Sequence, residues 1–118
     1  MATVVSWNLQ LNVRPNQLPA ARALMSDMVQ ATGDEPGTLT YEWFLSEDGT
    51  VCHLYERYAD SDAALVHLGN FGAKFADQFM GCFEPTAFFV YGEPRDDVKG
   101  VLDAFGAQYL GTLGGFSR

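Results

Sequence analysis

Residues 35–80 read EPGTLTYEWFLSEDGTVCHLYERYADSDAALVHLGNFGAKFADQFM. This block holds a turn, two strands and a capped amphipathic helix. Pro36 and Gly37 suit the two central positions of a type II turn. Residues 39–45 read as a strand, Ser46-Glu47-Asp48-Gly49 as a hairpin loop and residues 50–58 as the return strand. Asp60 and Ser61 can cap a helix over residues 62–79, with Ala64, Leu65, Leu68, Phe71, Phe75 and Phe79 on its buried face. Gly69 and Gly72 each weaken that helix by up to about 1 kcal/mol relative to alanine, which predicts a kink near Gly69-Asn70.

On the N-terminal side, Val5, Trp7, Leu9, Leu11 and Val13 alternate with Ser6, Asn8, Gln10 and Asn12, a strand with one apolar face. Pro15 ends it and Asn16 can cap the next helix. Over residues 17–32 the apolar side chains recur at helical spacing. Pro19 falls in the first turn, where it is tolerated, and Gly33 stops the helix. On the C-terminal side, residues 82–91 are a nearly continuous apolar run, a fourth strand buried on both faces or against a partner. Residues 93–97 open a short third helix, and residues 107–118 form a Gly-rich tail.

The order is β-α-β-β-α-β, the split βαβ arrangement, with a helix and tail added. Four antiparallel strands carry two helices on one face and leave the other uncovered. A homodimer packed sheet to sheet across a twofold axis would cover it. Residues 1–92 read as one domain. Residues 93–118 read as an appendage on the same domain or on the dimer partner.

The chain has 118 residues, suited to one core, and a formal net charge of −8. Its seven Lys and Arg are scattered singly, so nucleic acid and anionic membrane surfaces are excluded as partners. With nine Phe, five Tyr and two Trp, some aromatics are expected to line an interface or an apolar pocket. The opening MATVVSW has no features of a secretory leader, and no run of about 18 apolar residues spans a membrane. Cys52 and Cys82, expected on different strands, form no C-x-x-C pair. Reduced structural thiols in a cytoplasmic protein are expected, without zinc.

Three segments carry a family resemblance: Leu11-Asn12-Val13-Arg14-Pro15 before a helix, Glu35-Pro36-Gly37-Thr38-Leu39 with Tyr41-Glu42, and Glu56-Arg57-Tyr58 followed by Asp60-Ser61-Asp62-Ala63-Ala64-Leu65 and His67-Leu68. Over residues 4–91 the chain resembles the antibiotic biosynthesis monooxygenase family. The resemblance implies an α+β, ferredoxin-like fold assembling into a dimeric α/β barrel, with a pocket in each subunit between sheet and helices. It also implies oxidation of a small aromatic or quinol by molecular oxygen with no cofactor. A deprotonated quinol can itself reduce oxygen, so the protein supplies a cavity, a proton acceptor and positioning donors. The longer C-terminal piece suggests a subgroup whose tail straps the dimer.

His67, at the family's helix position, is the candidate proton acceptor; a structural role bonded to a strand or interface group is the alternative. Tyr41 and Trp43 share a strand face and are candidate substrate contacts, as are Trp7, Tyr55, Phe71 and Phe75; all could equally be core. His53 reads as a cross-strand partner. Glu42 and Glu56 read as ion-pair partners of Arg57 or an interface arginine, with acid–base chemistry the alternative. Asn8 invites comparison with heme-degrading relatives, but the tryptophan of that pattern is absent from the second helix. Two functional readings stand: a cofactor-independent monooxygenase, and a non-catalytic ligand-binding or stress-related homodimer.

Overall fold

In a computed structural model, which describes residues 3–118, the chain runs β1 (Val5–Val13), α1 (Leu18–Gly33), β2 (Thr38–Leu45), β3 (Val51–Tyr58), α2 (Ser61–Lys74), α3 (Ala76–Cys82), β4 (Phe83–Tyr91), α4 (Asp96–Leu102), a 3-10 turn (Asp103–Phe105) and β5 (Gln108–Leu110). Met1 and Ala2, the start of the stretch inspected for a leader, lie outside the described residues. The sheet order is β2-β3-β1-β4-β5, with the pairs among β1 to β4 all antiparallel. The added strand, β5, runs parallel to β4. The fold is the expected α+β, ferredoxin-like one. The sheet of this single chain is open, with β2 and β5 at its edges, and is not closed into a barrel.

Alternation in β1 and β3 sets the two faces of the sheet. Val5, Trp7, Leu11, Cys52, Leu54 and Tyr58 are buried beneath the helices. One core cluster gathers around Leu11, Leu24, Met28 and Phe79, and a second around Trp7, Tyr58, Phe88, Val90 and Leu102. Leu9 packs against both. The opposite face carries Asn8, Gln10, His53, Tyr55 and Arg57. At β4 the register slips between Gln10 and Leu11, where Pro85 offers no amide to the ladder. Thr86 Oγ1 donates to the carbonyl of Gln10 at 3.1 Å beside that bulge.

Several local expectations are corrected. Asn16 does not cap α1; it takes a left-handed conformation (φ 66°), and Gln17 occupies the cap position without a side-chain bond. Gly37 does not adopt the positive φ of a type II turn. Its need for glycine is steric: a Cβ there would collide with the side chain of Ala63 on α2. The helix after the hairpin runs unbroken through Gly69 and Gly72, and turns at Phe75 instead (φ −127°). That turn directs Phe79 and Cys82 of α3 into the core and joins α3 to β4 without a loop. Cys82 therefore ends a helix and does not open a strand; it and Cys52 are buried free thiols. β4 is not buried on both faces along its length, since Glu84, Thr86 and Tyr91 are exposed. Asp60 caps α2 as expected, accepting from the Ala63 amide at 2.8 Å.

Candidate active site

Glu56 sits in the buried row of β3, in step with Cys52, Leu54 and Tyr58. A carboxylate in that row loses its water and must find partners inside the protein. Glu56 is 4% exposed and finds two on one oxygen. The Tyr58 hydroxyl donates to Oε1 at 2.6 Å, and His67 Nε2 lies 3.1 Å from the same atom. Tyr58 is two residues along the strand, so its ring shares the face of Glu56. No described side chain bonds Oε2.

His67 reaches this point from the buried stripe of α2, one turn beyond Ala64. Its other nitrogen, Nδ1, lies 2.9 Å from Oε1 of Glu35, in the turn between α1 and β2. Glu35 is held in turn by the Thr38 hydroxyl on Oε1 at 2.9 Å and the Asn70 amide on Oε2 at 3.0 Å. The imidazole is thus clamped between two buried carboxylates, with the rings of Tyr58 and Tyr41 5.2 Å and 5.4 Å from its own. Burial opposes the charged ring, but the bonds and charges of Glu56 and Glu35 outweigh it and raise the pKa above the usual histidine value. The two carboxylates address opposite ring nitrogens and do not converge on one point. Among the described residues no group of His, Cys, Asp and Glu side chains is arranged to hold a metal ion.

Glu56 and His67 are polar lining residues of a narrow, mostly apolar cleft with about 40 Å³ of free space. Trp7, Leu9, Leu54, Leu68, Phe71 and Phe88 supply apolar wall. Leu102 and Phe105, from the C-terminal segment, line it as well, with Phe105 edge-on to Phe71 at 6.4 Å. Tyr41 also lines the cleft; its buried hydroxyl sits beside Trp43 and Thr32 but makes no well-formed hydrogen bond among the described residues. Burial, then the charge of Glu56, push that phenol far above its ordinary pKa, so it stays protonated and able to donate. Behind His67 lies a separate crevice with about 10 Å³ of free space, room for about one water, lined by Thr32, Glu35, Asn70, Lys74 and Phe75.

Of the residues singled out in the sequence, His67, Tyr41, Trp7 and Phe71 meet at the cleft. Phe75 lies on the crevice behind His67. Trp43 faces a different cavity, at the end of the hairpin beside Leu18, Arg22 and Cys52. Tyr55 lies on the other face of the sheet, paired with Asn8 and Glu42, away from the cleft. His53 shares that face, opposite Phe44. The expected pairing of Glu56 with Arg57 does not form: Arg57 points to the open face, where Nη1 donates to Ser117 Oγ at 2.9 Å. Glu35, Tyr58 and Asn70 were not anticipated. Glu56 was legible in principle, as a carboxylate in phase with buried Leu54 and Tyr58; Glu35 had no comparable local signal.

A family model described as antibiotic biosynthesis monooxygenase matches residues 5–76. Among solved structures, MupZ from Pseudomonas fluorescens is similar over 100% of this chain and 91% of its own, at 26% identity and a TM-score of 0.87. Rv0793 from Mycobacterium tuberculosis is 30% identical over 79% of this chain and 96% of its own, with a TM-score of 0.60. SnoaB from Streptomyces nogalater, described as a cofactor-independent oxygenase, shares the fold at 12% identity, over 80% of this chain and 96% of its own (TM-score 0.67). No curated protein sequence matches the chain significantly.

Proposed function

The chain belongs to the antibiotic biosynthesis monooxygenase family, and from that premise we propose that it oxidises a hydroxylated aromatic or quinol with molecular oxygen, Glu56 taking the substrate's proton. The observation that carries the reading is a carboxylate with one unengaged oxygen at the end of an otherwise apolar cleft. An acidic hydroxyl is the group such a base would meet, and a planar ring is what the walls of Trp7, Leu54 and Phe71 would hold. His67, with both nitrogens engaged, acts at one remove: its Nε2, 3.1 Å from Glu56 Oε1, holds that carboxylate in place. Tyr41 lines the cleft wall beside His67, its ring 5.4 Å from the imidazole.

The chemistry asks little more of the protein. Once deprotonated, the electron-rich ring reduces oxygen itself. At a ring carbon ortho or para to the hydroxyl, one oxygen atom becomes a carbonyl and the other leaves as water with that carbon's hydrogen and the hydroxyl proton carried by Glu56. All four electrons come from the substrate, so no cofactor is required. The description of SnoaB as a cofactor-independent oxygenase supports the same economy.

The proposed assembly is a cytoplasmic homodimer through the open sheet face. Leu113 and Phe116 in the tail are 104% and 80% exposed, with only the Arg118 guanidinium over the Phe116 ring at 4.5 Å, which supports a partner there. Among the described residues no helix is long and apolar enough to cross a membrane.

The test is oxygen uptake by purified protein with a panel of quinols and hydroxylated polycyclic aromatics, with and without NAD(P)H. Saturable uptake is expected without NAD(P)H, falling at least a hundredfold in Glu56→Gln, in line with the roughly 10²–10⁴ supplied by a positioned base. Saturable binding without uptake across the panel would move the assignment to the non-catalytic ligand-binding dimer. Turnover without oxygen consumption would move it to acid–base chemistry alone.

A further inference from the structure

The ring of His67 is a partition between two spaces. Glu56, on its Nε2 side, lines the apolar cleft. Glu35, on its Nδ1 side, lines the crevice whose other walls include Thr32, Asn70 and Lys74. A cleft that excludes water around a substrate also denies Glu56 a direct route for exchanging protons with solvent. We propose that protons leave and enter this site through His67 and Glu35 by way of the crevice, so that the substrate cleft need never open to water during turnover. The inference deepens the proposed function and rests on it for its role, though not for its test.

The proton count closes. In the protonated form that the two carboxylates favour, the imidazolium bears a proton on each nitrogen, one toward Glu56 and one toward Glu35. When Glu56 Oε2 takes a proton from the substrate, the negative charge that stabilised the imidazolium on that side is gone. The Nδ1 proton then passes to Glu35 Oε1 and on to water in the crevice. When Glu56 returns its proton to the departing oxygen, one proton enters by the same path and restores the imidazolium. One proton moves each way per cycle, and no electrons travel along the relay. Glu35 is here a positioning residue acting through His67. The titratable groups facing the ring are Glu35 from the α1–β2 turn, Tyr41 from β2, and Glu56 and Tyr58 from β3. Lys74 of α2 is the charged group at the crevice.

The experiment is ¹⁵N-detected exchange of the His67 ring protons with water in the intact, substrate-free protein, with His53→Gln used to assign the two histidines. The Nδ1 proton is expected to exchange at least tenfold faster than the Nε2 proton. Glu35→Gln is expected to slow Nδ1 exchange at least tenfold while leaving Nε2 exchange unchanged. An Nε2 proton that exchanges as fast as Nδ1, or an Nδ1 rate indifferent to Glu35→Gln, would overturn the proposal. Should Glu35→Gln fail to fold, the comparison of the two nitrogens in the unmodified protein decides alone. No substrate enters the measurement, so loss of the relay and loss of the monooxygenase reading are separately observable.

Discussion

A buried carboxylate pair with one imidazole between them is stable only while the imidazole carries its charge. Removing one partner strands the others, at a cost of roughly 3–5 kcal/mol. His67→Ala is therefore expected to lower unfolding stability by about that amount in urea titration, a larger loss than a cavity of similar size on α2 away from the cluster. The pH dependence follows from the same geometry. The folded-state pKa of His67 is raised above its unfolded value of about 6.5. The stabilisation is fully present below about 6.5 and is lost as pH rises through the higher folded-state value. The stability gap between the unmodified protein and His67→Gln should narrow on moving from pH 6 to pH 9; a gap that widens would contradict a charged ring. Half of this site was legible in the sequence. His67 stood out by its helix position, and Tyr41 by its strand face. Glu35 is brought in by the packing of the α1–β2 turn on α2, a tertiary contact that no local periodicity encodes. Tyr55 was misplaced because a candidate contact was named without fixing which face of β3 its phase puts it on.

The elements themselves were largely readable because period-two and period-3.6 patterns respond to burial, and burial is what the sheet and helices impose. The hairpin and the capped helix follow from such patterns. What the patterns missed were positions ruled by close approach. Gly37 was read as a turn glycine, yet it is required because α2 crosses within contact of its Cα. Gly37→Ala is expected to cost about 1–3 kcal/mol by overpacking against Ala63. Gly69, read as a helix breaker, lies within α2 with open space where a Cβ would go. Gly69→Ala is expected to stabilise by up to about 1 kcal/mol. Thermal melts of the two variants should shift in opposite directions, and a shift of the same sign would refute this division of labour. The break at Phe75 belongs to the same class: it is set by the need to deliver Phe79 and Cys82 to the core, not by glycine.

At the scale of the whole molecule, one sheet face is covered by helices, and the other is the face assigned to the proposed dimer. The C-terminal segment reaches both: Val98 and Leu102 are fully buried in the second core cluster, while Ser117 bonds Arg57 on the other face and Leu113 and Phe116 stay exposed. Ending the chain after Gly111 keeps β5 and is expected to weaken the proposed dimer at least tenfold by sedimentation; an unchanged dissociation constant would remove the tail from the interface. Composition could not have located the cleft, since the same aromatics fill core and pocket walls alike. It is placed by the tertiary meeting of α2, β3 and the Phe105 turn. The most direct test is a crystal structure of the protein with 2-naphthol, grown without oxygen. The naphthol ring is expected between Trp7, Leu54 and Phe71, with its hydroxyl about 2.6–3.2 Å from Glu56 Oε2. A ring bound in the cavity beside Trp43, or one in the cleft with its hydroxyl turned away from Glu56, would contradict it.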